Sequence, residues 1–104
     1  MATLRKSNLS LHKPSAKFPL GRVVATPGAL EALQESGEDP SPYLRRHNGG
    51  DWGEVDESDR RENEVSLQNG FRILSAYKLR TDVTIWIITE ADRSSTTILL
   101  PEEY

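Results

Sequence analysis

The sequence predicts an α+β domain in which an antiparallel sheet of three or four strands carries two or three short helices packed on one face, behind a basic N-terminal arm. Three observations predict it. Residues 83–90 and 95–100 are dense in β-branched and aromatic side chains, and the turn-forming Ala91-Asp92-Arg93-Ser94 separates them, which is the pattern of a hairpin. Thr26-Pro27 and Ser41-Pro42 each pair a capping hydroxyl with proline, the signal of a helix start. Residues 72–79 alternate Ile73, Ser75, Tyr77 and Leu79 against Leu74, Ala76 and Lys78, the period of a strand.

The elements follow in order. Residues 1–19 mix Ser, Lys, Asn and Pro with scattered leucines at no sustained period, and read as a flexible arm; residues 20–104 read as the single domain. Arg22-Val23-Val24-Ala25 makes a short strand, added at one side of the sheet. A first helix runs from Pro27 to about Ser36 on the apolar stripe Ala29, Leu30, Ala32 and Leu33, with Gly37 as its left-handed stop. A second, short helix ends near His47 and is broken by Asn48-Gly49-Gly50. The third spans residues 56–69, with Asp56 or Ser58 as cap and Gly70 beyond its end. From Asp56 to Glu64 it has no apolar residue, so Val65 and Leu67, with Phe71 following, are its expected anchors and loose docking or a partner-facing role its expected consequence. The strand at 83–90 is apolar on both faces and belongs inside the sheet.

Composition narrows the function. A chain of 104 residues supports one modest core. Residues 1–20 carry four basic side chains (Arg5, Lys6, Lys13, Lys17) and no acidic one, leaving nine basic and sixteen acidic residues in the remainder, a body about seven units negative. Such a body lacks the broad positive surface that phosphate-backbone binding demands. The absence of cysteine excludes disulfides, thiolate metal sites and a cysteine nucleophile. The apolar runs are too short for a helical membrane span and no signal-peptide pattern is seen, so a cytoplasmic protein without membrane contact is expected.

Two clusters could carry chemistry. In His47-Asn48-Gly49-Gly50-Asp51-Trp52-Gly53 an imidazole, a carboxylate and an indole sit among glycines that let the backbone approach a ligand. His47 could serve there as general acid or base, with Asp51 and Trp52 in binding. The alternative is that His47 ends a helix, Asp51 bonds a turn and Trp52 fills the core. In Thr89-Glu90-Ala91-Asp92-Arg93-Ser94-Ser95-Thr96-Thr97 the guanidinium of Arg93 beside several hydroxyls, Thr97 among them, could hold a phosphate. A Glu90–Arg93 ion pair in an ordinary turn would explain the same residues. Asn63 and Glu64 flank the buried stripe of the third helix and could hydrogen-bond the glycine-rich loop. No spacing calls for a metal or cofactor, and none is expected.

The motifs His47-x-x-Gly50-Asp51-Trp52-Gly53, Gly70-x-Arg72-Ile73-Leu74-Ser75-x-Tyr77 and Trp86-Ile-Ile-Thr-Glu-Ala-Asp-Arg-Ser-x-Thr-Thr-Ile-Leu-Leu-Pro-Glu-Glu-Tyr104 resemble those of a family of small, uncharacterised bacterial proteins carried on plasmids and other mobile elements. The resemblance implies a genomic setting more than an activity. It suits a small accessory or interaction protein that binds a macromolecular partner, a protein first, or nucleic acid through Arg93 and the arm. A more distant architectural likeness, to metal-independent endoribonucleases of the barnase, RelE and colicin kind, implies His47 or Glu90 as base, Arg93 on the phosphate and Thr96 or Thr97 positioning it.

Overall fold

The computed structural model describes residues 16–104. Strand β1 (Arg22–Ala25) is followed by helices α1 (Pro27–Ser36), α2 (Ser41–Asn48) and α3 (Glu57–Asn69). Strands β2 (Ile73–Lys78), β3 (Thr84–Thr89) and β4 (Ser95–Leu99) then complete the fold with a 3-10 turn (Pro101–Glu103). The sheet order is β1-β4-β3-β2, antiparallel except that β1 lies parallel to β4 with Val23 opposite Thr96. The α+β expectation is met, with one parallel pair at the edge. That pair arises because the chain leaves β1 through all three helices before it returns as a meander.

Local chemistry sets the helix limits. The Thr26 hydroxyl accepts from the Ala29 amide at the start of α1, and Gly37, at φ 70°, ends it. Asp56 accepts from the Asp59 amide at the start of α3. The 3-10 turn adds a tertiary cap to α1, since the Glu103 carboxylate accepts from the Thr26 hydroxyl and the Gly28 amide. A carboxylate is favourable there because the unpaired amides of a helix start carry partial positive charge.

One face of the sheet holds the core. Tyr77, Ile85, Ile87 and Ile98 pack under Ala29, Ala32 and Leu33 of α1, with Tyr43 and Leu44 of α2 against them. A second cluster joins Phe18, Trp52 and Ile73 to Leu20, Val55 and Leu67. Phe18 falls within the expected arm, yet it is buried and the Lys17 amide donates to the carbonyl of Asn48. The folded unit therefore includes residues 16–19; the rest of the arm lies outside the described residues. Phe18 escapes a periodicity argument because it is a lone aromatic whose partners come from distant segments.

Helix α3 is anchored differently from expectation. Val65 and Phe71 are exposed, Leu67 is partly buried, and the buried positions are Asn63 and Ser66. Polar groups dock this helix because it lies along the rim of the sheet, where strand β2 presents unpaired backbone groups. Asn63 Nδ2 donates to the Leu74 carbonyl at 2.8 Å and its Oδ1 accepts from the Leu74 amide at 3.2 Å. Two residues on, Ala76 donates to Trp52 O and accepts from the Glu54 amide. A side-chain amide and a loop thus pair with the outer edge of β2 and take it away from edge-to-edge association.

Candidate functional site

The structure presents a buried polar chain, a guanidinium clamp and an open cleft, and the residues singled out by the sequence are divided among these and separate surface pairs. The buried chain begins at His47, whose side chain leaves the end of α2 and enters the core at 0% exposure. Its Nδ1 lies 2.6 Å from Ser75 Oγ and its Nε2 2.9 Å from Thr89 Oγ1; Thr89 Oγ1 lies 2.7 Å from Thr96 Oγ1, which donates to the Leu20 carbonyl at 2.7 Å. The directions follow in turn. Because the Thr96 proton goes to Leu20, Thr89 donates to Thr96; His47 Nε2–H then donates to Thr89, and Nδ1 accepts from Ser75. His47 is accordingly the neutral Nε2–H tautomer. Burial, helped by the nearby positive charge of Arg93, pulls its pKa down from 6.5 to about 4. An imidazole sealed under Phe18 and Trp52, with both nitrogens bonded, has no path to a substrate proton.

Arg93 is the clamp. It sits in the bend between β3 and β4 at φ 62°, and its guanidinium donates to the carbonyls of Phe71 (2.6 Å), Ser66 (3.0 Å), Glu90 (3.1 Å) and Ala91 (3.2 Å). Its face covers the Phe18 ring at 5.4 Å. These contacts tie the hairpin bend to the end of α3 and use the fork that a phosphate would need. The expected Glu90–Arg93 pair is replaced: Glu90 stands 3.5 Å from Arg72, and Arg93 takes carbonyls.

The other predicted residues divide. Asp51 pairs with Arg46 at 2.8 Å, accepts from the Gly53 amide and is held below the usual carboxylate range by Arg46. Trp52 is buried and donates to Glu64 at 3.0 Å, so Glu64 does reach the glycine-rich loop, whereas Asn63 turns to the strand edge. Thr96 joins the His47 chain, but Thr97, its neighbour on a strand, points to the opposite face. His47 and Thr96 therefore converge in the interior with the half-buried Arg93 nearby, while Asp51, Glu90 and Thr97 do not join them. Ser75 and Thr89 were missed as partners of His47. Their signal was available, since each occupies a core-side position of its strand and needs a bond there.

The open feature is a cleft of about 510 Å³ between α3 and the sheet face away from α1 and α2. Leu74 and Trp86 form its floor, Val65 and Phe71 stand beside it, and Asp59 and Glu62 lie on its lip. Tyr104 meets the Trp86 ring edge-on at 5.6 Å and accepts from Arg72, so the C-terminal residues strap part of this face. Among the described residues no group of three or more His, Cys, Asp or Glu side chains could hold a metal, and no helix is long and apolar enough to cross a membrane.

Fold and site together define a small α+β protein with a sealed polar interior and an open apolar cleft on the sheet face away from its first two helices. No family model matches the chain, and neither does any curated protein or solved structure.

Proposed function

We propose that this chain is a non-enzymatic interaction domain that binds a protein partner in the cleft between α3 and Trp86. One contrast carries the reading: the imidazole suited to acid–base chemistry is buried with both nitrogens bonded and the guanidinium suited to a phosphate is engaged by four carbonyls, while Val65 and Phe71 stand exposed around an apolar floor. Large exposed apolar residues gathered at one cleft are what a docking surface offers. In this reading the protein is a small cytoplasmic accessory factor of a plasmid or other mobile element, the setting that its motifs imply. Nucleic acid is the weaker partner, because the body is acidic and Arg93 is engaged by four carbonyls. The ribonuclease alternative needs an accessible base and a free guanidinium, and His47 and Arg93 supply neither.

The test uses a photo-cross-linking amino acid placed in host cells at position 71 or at position 30. Phe71 and Leu30 are equally exposed at 56%, and Leu30 lies on α1, away from the cleft. A discrete protein adduct from position 71 and not from position 30 is expected. Identical adducts from both, or none from position 71, would overturn the proposal.

A further inference from the structure

The two edges of the sheet are built differently. At the β2 edge, Asn63 pairs with Leu74 and the segment 52–54 pairs with Ala76. Strand β1 forms the opposite edge, and among the described residues nothing pairs with its outer side. The Arg22 and Thr26 amides donate to the carbonyls of Ser94 and Ile98, towards β4, so strand alternation turns the amides and carbonyls of Val23 and Ala25 outward. Helix α1 leaves this side open, because it turns back over the sheet and packs Ala29, Ala32 and Leu33 in one cluster with Ile87 and Ile98. Val23 and Val24, one on each face, are 42% and 40% exposed. An open edge that carries exposed β-branched residues is a template for another strand.

This edge is complementary to its own copy. Antiparallel pairing about a two-fold axis through Val24 sets Val23 of each copy opposite Ala25 of the other, so every outward amide of the strand meets an outward carbonyl. An axis through Ala25 would set Val23 against Pro27, which has no amide to give. An axis through Val23 would draw in Gly21, whose φ of 64° departs from strand geometry. The register through Val24 also brings Arg22 of each copy opposite Thr26 of the other, on the open face of the sheet. The Thr26 hydroxyl donates to the Glu103 carboxylate, so a cation meets an anion at each end of the pairing. Arg22 has no ion-pair partner among the described residues.

We infer that two copies of this chain associate through β1, pairing antiparallel about Val24 and joining their two sheets into one. Backbone bonds give the pairing its register, and the facing Val24 side chains shield those bonds from water. The Arg22 and Glu103 pairs are exposed and set orientation more than affinity. Only a few residues of each copy are covered, so the association belongs to the weak class of interfaces and needs micromolar protein or more. The inference is independent of the cleft, which lies at the β2 end, and it sets the clefts of the two copies at opposite ends of the joined sheet.

Sedimentation equilibrium tests it on the full chain, whose mass should climb from that of one copy towards two as concentration rises. Val24→Lys sets like charges face to face on the axis and should hold the mass at one copy. Its urea midpoint should stay that of the parent, because the position is exposed. Hydrogen exchange reads the register: protection of the Val23 and Ala25 amides should rise about tenfold from dilute to concentrated protein, and that of Arg22 and Thr26 much less. The protein has no cysteine, so oxidation of Val24→Cys should link two copies, the Cα atoms of such a facing pair lying about 4.5 Å apart. Val23→Cys is similarly exposed but stands diagonal to its own copy, beyond about 7 Å, and should link poorly. A mass of one copy at every concentration, a dimer that survives Val24→Lys, or equal linking from the two cysteine variants would overturn the inference. None of these outcomes bears on cross-linking from position 71, so the two proposals can fail separately.

Discussion

Nε2 of His47 lies 2.9 Å from Oγ1 of Thr89, and this bond fixes the protonation of a fully buried imidazole. The direction is imposed from the far end of the chain, where Thr96 must donate to the Leu20 carbonyl. A neutral ring satisfies all four bonds of the series. A protonated ring would carry a second N–H at Nδ1, facing a Ser75 hydroxyl that now donates to it. The link also joins α2, strands β2, β3 and β4 and the entering segment of residues 17–20, so this histidine acts on stability.

Stability should therefore fall as pH drops from about 6.5 towards 4. In the unfolded chain the imidazole titrates near 6.5, and in the fold near 4, so protons below 6.5 bind the unfolded state first. The contribution is fully present above 6.5 and lost on the way down to about 4, at most about 3 kcal/mol for a shift of this size. The carboxylates of Glu38, Asp51 and Glu103, held low chiefly by Tyr43, Arg46 and Thr26, contribute stability that is lost in the acid range below their ordinary values. Urea unfolding at pH 7 and pH 5 should show a drop of about 2 kcal/mol that shrinks in His47→Gln. An equal drop in both proteins would remove His47 as its source.

Removal of the Arg93 fork should loosen the bend and the end of α3 together. Arg93→Ala leaves the Phe71 carbonyl without its side-chain donor, while the Ser66 carbonyl keeps the Gly70 and Phe71 amides, and is expected to destabilise by about 1–2 kcal/mol. Lysine keeps the charge but cannot reach four carbonyls in a plane, so Arg93→Lys should recover only part of the loss. Arg93→Gly should sit about 1 kcal/mol above the alanine variant, because φ 62° strains a residue with a Cβ. Urea midpoints rank the three. An alanine variant as stable as the parent would show that the clamp contributes nothing.

The limits of a sequence reading are visible in particular residues. Thr26, Gly37, Asp56 and Gly70 mark helix ends through bonds that span a few positions, and their roles were legible. The alternation of Ile73, Ser75 and Tyr77 against Leu74, Ala76 and Lys78 likewise gave β2 as a strand. His47 was visible as unusual, but its partners stand 28 and 42 positions away, and only the folded chain shows that they close both nitrogens. Arg93 invited a phosphate-binding reading because a sequence cannot tell that backbone carbonyls will converge on it. The cleft was hidden for the same reason: Phe71 and Val65 read as anchors, and their exposure depends on how α3 lies along the strand edge.

Asn63 should behave as a piece of strand. It supplies the Leu74 backbone with both a donor and an acceptor, so Asn63→Ala exposes two backbone groups and is expected to lose about 2 kcal/mol. Asn63→Asp is the sharper variant, since a carboxylate can accept from the Leu74 amide but repels the Leu74 carbonyl. Hydrogen exchange at the Leu74 amide should speed at least tenfold in both variants, with Ile87 in β3 less affected. Unchanged protection at Leu74 would mean that the edge is closed by other groups.

Gly53 and Gly37 provide a matched pair in which the backbone strain is similar and the surroundings differ. Both hold positive φ, 76° and 70°, so alanine at either is strained by about 1 kcal/mol. At Gly37 an added methyl group meets nothing within 4 Å, and the loss should stop there. At Gly53 it would overlap the Ala76 carbonyl oxygen and the Tyr77 ring, because the loop lies against β2 to pair with Ala76. Relief requires the loop to lift, which breaks the bonds from Ala76 N to Trp52 O and from Glu54 N to Ala76 O and disturbs Trp52 in the core. Gly53→Ala is therefore expected to lose about 3 kcal/mol or more, against about 1 kcal/mol for Gly37→Ala. Trp52 gives the second readout: its burial should persist in the Gly37 variant and decline in the Gly53 variant, as a red shift in tryptophan emission. Similar losses in the two variants would mean that the glycine-rich loop is not held against the strand.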